Sequence, residues 1–227
     1  MDAQGIGRVA TNTTLAACAA GLTSMFYAFP RGKVWDCGLT VNGFLAGLVA
    51  ITCPCYWVSP TGAILLGGVA GVVVVMGVDL IEWLRVDDPV GAVAVHGVCG
   101  IWGTLSLGLF ACGKYGSAGP TGADNSSPVT GLFYGAGVSQ LVAQAIGSVS
   151  ITLGTFAAAM ALMYLVKLTG TLRVSEKGER EGLDLHEHGA IAHPEYTSHP
   201  LGAPVMHSSP APAAVPAPAP RAVTDAP

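Results

Sequence analysis

The sequence predicts an all-α polytopic membrane protein, on three observations. Charged residues make up only 11% of the chain, against about 25% in soluble domains. Mean hydropathy is +0.56, with 51% hydrophobic residues and 31 glycines, the excess expected where helices pack closely in lipid. Finally, the apolar residues gather into five long stretches separated by short polar breaks.

The stretches lie at about 9–29, 39–58, 61–83, 89–112 and 131–168. Crossing a bilayer takes roughly 20 helical residues at about 1.5 Å each. Four stretches fit that length. The fifth exceeds it and is expected to tilt or to project beyond the membrane. Pro30-Arg31-Gly32-Lys33 ends the first, and Val58-Ser59-Pro60 leaves room only for a tight hairpin between the second and third. Gly113–Thr130, rich in Gly, Ser, Pro, Asp and Asn, reads as an external loop. The transmembrane domain is therefore assigned to 1–170, a charged segment to 171–199, and an Ala/Pro-rich tail, expected to be disordered, to 200–227.

A soluble, glycine-rich α/β protein is the competing class, because Gly67-Gly68-Val69-Ala70-Gly71 followed by four valines resembles a buried strand. Nothing polar alternates with these runs, and four stretches reach membrane length with no lysine or arginine at their centres. The net charge of −4 offers no basic surface for nucleic acid. Five of the six cysteines fall inside the apolar stretches, and Cys53-Pro54-Cys55 has neither metal-binding nor thioredoxin spacing. Met1–Ile6 lacks the basic segment of a secretory signal.

Basic residues set the expected orientation. Arg31 and Lys33, Arg85, and Lys167, Arg173, Lys177 and Arg180 follow the first, third and fifth stretches. They share one side, whereas Arg8 and Lys114 lie on the other. Positive-inside then puts the C-terminus in the cytoplasm and residue 1 outside.

The chemistry concentrates in the fourth stretch. Asp87-Asp88-Pro89 resembles a helix start, with Asp88 as N-cap and Pro89 at the first helical position. His96 lies eight residues on, roughly 12 Å along the axis, and the remaining histidines all lie beyond residue 180. Two readings stand. His96 is a core histidine bonded to a neighbouring helix, or it is a solute- or proton-handling group in a pathway, the default for an ionisable residue inside a membrane. Neutral imidazole donates from one nitrogen and accepts at the other. Gly97, Gly100 and Gly103 recur every three residues as a small-residue packing ridge, as do Gly43, Ala46 and Gly47 and then Gly67, Gly68 and Gly71 in earlier stretches. An enzyme using His96 with Asp88 is disfavoured by their separation and by the lack of a nearby nucleophile. His186, His188, His193, His199 and His207 are irregularly spaced with no cysteine among them, so neither metal nor cofactor is assigned.

Three stretches resemble the ammonium transporter / methylammonium permease / Rhesus family. They are Asn42-Gly-Phe-Leu-Ala-Gly-Leu-Val-Ala-Ile-Thr52, Val86-Asp-Asp-Pro-Val-Gly-Ala-Val-Ala-Val-His96-Gly-Val-Cys-Gly-Ile-Trp-Gly103 and Gly182-Leu-Asp-Leu-His-Glu-His-Gly189. They occur in the family's order, and the resemblance covers nearly 3–196. It implies a trimer in which each eleven-helix subunit encloses a narrow pore for ammonium or ammonia, lined by two mid-membrane histidines. His96 then corresponds to the second pore histidine, Asp88 to the acid supporting the pore, and Thr52 to a hydroxyl near it. The five stretches correspond to the seventh to eleventh helices, the last of which braces the others. Asp184, His188 and Gly189 fall in a cytoplasmic regulatory tail, the face at which PII-type signal proteins dock in many prokaryotic members.

The chain departs from the family pattern in two places. Residues 1–95 contain no histidine, so the first pore histidine, the outer recruitment site and the aromatic gate have no counterpart. Ala190 and His193 stand where the family has glutamate and tyrosine. The resemblance therefore implies a partial transporter whose N-terminal half is missing or a separate chain. The resulting expectation is ammonium/ammonia transport in the plasma membrane, with a non-conducting half-transporter acting in assembly or regulation as the alternative.

Overall fold

The computed structural model describes residues 3–115 and 128–190. The described elements are helical, with two isolated β-bridges, Val58 to Ala111 and Cys112 to Thr130. The chain divides into two compact units, Met1–Ala161 and Leu162–Pro227.

In the first unit, α1 (Ala3–Gly32) lies between α2 (Cys37–Thr52) and α3 (Pro60–Trp83). Small residues set this arrangement. An ideal Cβ on Gly47 would stand 2.5 Å from the Ala16 carbonyl oxygen and 2.7 Å from Ala20 Cβ. Gly43 rests on Ser24, and Gly67 and Gly71 rest on the Ala16 and Ala20 backbone. In lipid, where hydrophobic burial gives no net drive, such close backbone approach supplies the van der Waals contact that holds helices together. Ala16, Ala20, Ala50, Ile51, Ala63, Leu66 and Ala70 fill the shared core. The contact pairs run antiparallel between α1 and α2 and parallel between α1 and α3, so successive helices alternate in direction.

Helix boundaries depart from the stretches read in the sequence where local chemistry intervenes. Helix α1 runs through Pro30, whose missing N–H falls in the last turn, and stops where Lys33 turns left-handed at φ 55°. Trp35 then folds back to stack on Phe29 at 4.0 Å. Helix α2 ends at Thr52, short of the expected residue 58, because Pro54 has no N–H to give to the preceding turn. The link to α3 is a run of turns held by buried Asn12, whose Nδ2 donates to the carbonyls of Cys55 and Val58, each at 2.9 Å. Ser59 caps α3, accepting from the Gly62 N–H at 3.1 Å, and Pro60 occupies the first turn as the sequence predicts.

Helix α4 (Val93–Phe110) starts later than the expected residue 89. Pro89 and Val90 form a turn, and Gly91 sits at φ +72° with Asn42 Nδ2 only 2.7 Å from where its Cβ would be, so a side chain there meets both strain and a clash. The first six residues of α4, Val93–Val98, form a π-helix rather than an α-helix. Trp102 Nε1 donates to the Leu66 carbonyl at 3.0 Å, fastening α4 to α3. The stretch expected from 131 breaks into a short 3-10 turn, Leu132–Tyr134, left-handed Gly135 at φ +89°, and then α5 (Ser139–Leu168). Thirty residues span about 45 Å, more than a bilayer core of roughly 30 Å. Helices α3, α4 and α5 are long and apolar enough to cross a membrane, and α2 is a shorter apolar helix. In α1 the polar run from Thr11 to Thr14, which includes Asn12, dilutes the apolar character.

The second unit, as far as it is described, holds the end of α5 and two short helices, α6 (Glu176–Glu181) and α7 (Leu183–His188). Ser175 caps α6 through the Gly178 N–H. The His186 ring covers Gly178, leaving no room for a Cβ, with Nδ1 3.7 Å from Glu181. The Ala/Pro-rich tail, His193, His199, His207 and most of the external loop lie outside the described residues.

Candidate functional site

The site is built from the start of α4. An α-helical turn ties each N–H to the carbonyl four residues back, whereas a π-turn reaches five and inserts one extra residue into the ladder. Here the Cys99 N–H reaches the Ala94 carbonyl. Ala94, Val95 and Cys99 are thereby buried against Ala46, Val74 and Val75, while His96 and Gly97 face outward.

Asp88 anchors this turn. Its two carboxylate oxygens accept from the N–H groups of Ala92 and Val93 at 2.8 and 2.9 Å. Asp88 thus satisfies the free N–H groups at the helix start, although the helix begins at Val93 rather than at Pro89, so Asp88 reaches it from four and five residues upstream instead of occupying the N-cap position. Asn42 holds the same turn from α2, donating to the Val90 carbonyl at 3.1 Å.

His96 opens onto a cavity of about 470 Å³ between α4 and α5. Its α4 wall is His96, Gly97, Gly100, Ile101 and Thr104, and its α5 wall includes Ser148, Thr152, Thr155 and Phe156. Thr104 and Ser148 bond directly through their hydroxyls. No Asp, Glu, Lys or Arg is among the residues lining the cavity.

The other sequence-derived residues distribute unevenly. Gly103 packs on α2, where a Cβ would stand 2.6 Å from the Ala50 carbonyl oxygen. Gly97 and Gly100 have neighbours only at 3.8 and 3.9 Å and line the cavity instead, so the three glycines form no single packing ridge. The π-turn and the α-helical drift of about 60° per three residues turn them onto different faces. Thr52 is exposed, donates to the Leu48 carbonyl at 2.8 Å, and does not line the His96 cavity. In the second unit Asp184 lies in the first turn of α7, His188 is exposed in its last, and the Gly189 N–H closes the helix on Leu185 at 3.0 Å. The sequence reading missed the π-turn, for which no residue pattern signals, and the hydroxyl face of α5. The i, i+4, i+7 spacing of Ser148, Thr152 and Thr155 was the available clue to the latter.

The sequence profile described as Ammonium Transporter Family matches residues 1–193. Ammonium transporter Amt2 of Archaeoglobus fulgidus is 40% identical over 188 residues, covering 83% of this chain and 39% of that protein. Ammonium transporter 1 member 1 of Arabidopsis thaliana is 38% identical over 194 residues, covering 83% of this chain and 37% of that protein. Among solved structures, one described as a Sensor Amt Protein superposes with TM-score 0.69 at 32% identity, covering 82% of this chain and 43% of its own. Mep2 of Saccharomyces cerevisiae superposes with TM-score 0.66 at 28% identity, covering 74% and 38%. The chain spans about two-fifths of the length of the curated relatives it matches.

Proposed function

The chain belongs to the ammonium transporter family, and from that membership we propose that it takes part in passage of ammonium or ammonia across a membrane, with His96 as a hydrogen-bonding residue of the pathway. The observation that carries this reading is the π-turn that exposes His96 to a cavity with no Asp, Glu, Lys or Arg in its lining while its neighbours Val95 and Cys99 are buried. A neutral imidazole there offers one donor and one acceptor to a small solute that sheds its water. Asp88 acts through the backbone, holding the turn that presents His96.

The proposed context is a plasma-membrane trimer in which 9–29, 39–58, 61–83, 89–112 and 131–168 span the bilayer and the remaining family helices come from further sequence or another chain. The positive-inside pattern of Arg31, Lys33, Arg85 and Lys167 supports a cytoplasmic C-terminus. Asp184, His188 and Gly189 then lie on the cytoplasmic side, where a PII-type protein would dock. Thr52 is proposed to face the solute path only near the far end of α2, away from His96.

Methylammonium uptake tests the reading in cells lacking their own ammonium transport. The chain is expressed alone and with the N-terminal part of a relative, and His96→Ala is compared with the parent. Loss of uptake in His96→Ala is the expected outcome; full retention of rate and selectivity would sink it. Uptake in neither setting would favour the second reading, a non-conducting half acting in assembly or regulation. The exposure of His96 on a cavity walled, among the described residues, by α4 and α5 alone is the observation that favours that alternative.

A further inference from the structure

We infer that the second unit holds a pH-sensitive latch: the His186 imidazole of α7, laid over Gly178 of α6 between Ser175 and Glu181, fastens the two helices more firmly when it takes up a proton. The inference concerns the hold of α6 on α7 alone and stands whether or not the chain conducts.

The joint between the two helices is a single residue. Gly182 separates α6 from α7 at φ +92°, a backbone region that glycine takes without strain. Each helix has six residues, too few to be stable on its own in water. A contact beyond their own turns must hold them, and His186 makes one. Gly178 is buried, and a Cβ there would stand 2.5 Å from His186 Cδ2, 2.8 Å from Nε2 and 2.9 Å from Cγ. Glycine is a poor helix former. Its place inside so short a helix is explained by the room it leaves for the ring.

The two ring nitrogens meet different partners. Nδ1 stands 3.7 Å from Glu181 Oε2, and Nε2 stands 3.5 Å from Ser175 Oγ. An ionised carboxylate only accepts, so the proton of the neutral ring belongs on Nδ1. Ser175 Oγ accepts from the Gly178 N–H at 3.1 Å and keeps both a proton and a lone pair. It donates to Nε2 of the neutral ring and accepts from Nε2 of the protonated one. Protonation therefore breaks no contact, and it places a full positive charge beside a carboxylate.

The surrounding charges act in the same direction. On the α6 side each base already faces an acid: Lys177 with Glu181 Oε1 at 3.6 Å, Arg180 with Glu176 at 2.6 Å and Arg173 with Glu179 at 3.2 Å. In α7, Asp184 and Glu187 add two acids, and His188 is exposed in the last turn. The His186 and Glu181 side chains are 30% and 39% exposed. Protons reach the ring, yet the pair is partly sheltered from the screening that weakens surface ion pairs. Histidine is the side chain whose charge ordinarily changes between about pH 5 and 8. The latch is thus tight on the acid side of that range and loosens as pH rises through it. Because α7 carries Asp184, His188 and Gly189, pH then sets how firmly the proposed docking residues are held.

Amide exchange of the full chain in lipid nanodiscs, read by mass spectrometry on peptides within 183–190, tests the latch. Parent and His186→Gln are compared at the same pH, which cancels the intrinsic pH dependence of exchange. Glutamine keeps a donor and an acceptor but takes up no proton. The protection of α7 in the parent relative to His186→Gln should be about two- to fivefold greater near about pH 5.5 than near about pH 8, the size of a partly exposed ion pair. Glu181→Gln leaves the ring in place and should remove most of that pH dependence. Gly178→Ala displaces the ring and should speed exchange of α7 at both pH values. A parent-to-variant ratio that stays constant across the range would make His186 a structural contact only and overturn the inference. Unprotected α7 amides in the parent at both pH values would overturn it as well, since no latch would then be closed.

Discussion

Gly47→Ala isolates what holds the first unit together. The added methyl would lie 2.5 Å from the Ala16 carbonyl oxygen, 2.7 Å from Ala20 Cβ and 2.8 Å from Ala17 Cα. Ordinary carbon–carbon contact is about 3.5–4.0 Å, so α1 and α2 must part by close to 1 Å. None of the three obstructing atoms belongs to a flexible side-chain end, and no rotamer change relieves the clash. Separation by that amount forfeits roughly a quarter to a half of each contact along the seam. Gly43, one turn earlier on the same face, loses its seat on Ser24 as well. The expected destabilisation is about 1–3 kcal/mol, the usual cost of overpacking a dense core. Gly154→Ala is the internal control: nothing lies within 4 Å of its Cβ position, and removing a mid-helix glycine should stabilise by up to about 1 kcal/mol. Reversible unfolding in mixed micelles, followed by helical circular dichroism, measures both. If Gly47→Ala matched Gly154→Ala in sign, close glycine packing would not be what joins α1 to α2.

Two further outcomes follow from polar contacts. Asp88→Ala leaves the Ala92 and Val93 N–H groups uncapped and should cost about 0.5–2 kcal/mol; amide exchange at those two positions should rise, and Asp88→Asn, which keeps one acceptor, should recover part of the loss. Asn12→Leu strands the carbonyls of Cys55 and Val58 and should cost about 1–3 kcal/mol; faster limited proteolysis within 53–59 would mark the loosened connection, and an unchanged digestion rate would argue against Asn12 as its anchor.

The sequence made the membrane class, the order of the helices, the start of α3 at Ser59-Pro60 and the prominence of His96 legible, because hydropathy, capping chemistry and an isolated imidazole are local properties. Asp88 was recognisable as a cap for the same reason, but its reach was not, since the turn at Pro89–Gly91 depends on Asn42 from another helix. The early end of α2 and the late start of α5 were harder, because apolar residues continue through the turns at Pro54 and Gly135.

What the chain by itself determined is that about five apolar segments seek lipid and that one of them carries a histidine with no local partner. Only the packed structure decided which way that histidine faces. The π-turn at Val93–Val98 rotates His96 outward while keeping Val95 and Cys99 in the core, and it divides Gly97 and Gly100 from Gly103, sending the first two to the cavity and the third to α2. A single inserted residue in the hydrogen-bond ladder shifts every face that follows by about 100°. That shift depends on α2, whose Asn42 holds the turn at Val90 and Gly91 and whose Ala50 backs Gly103, and no periodicity within the segment itself records it.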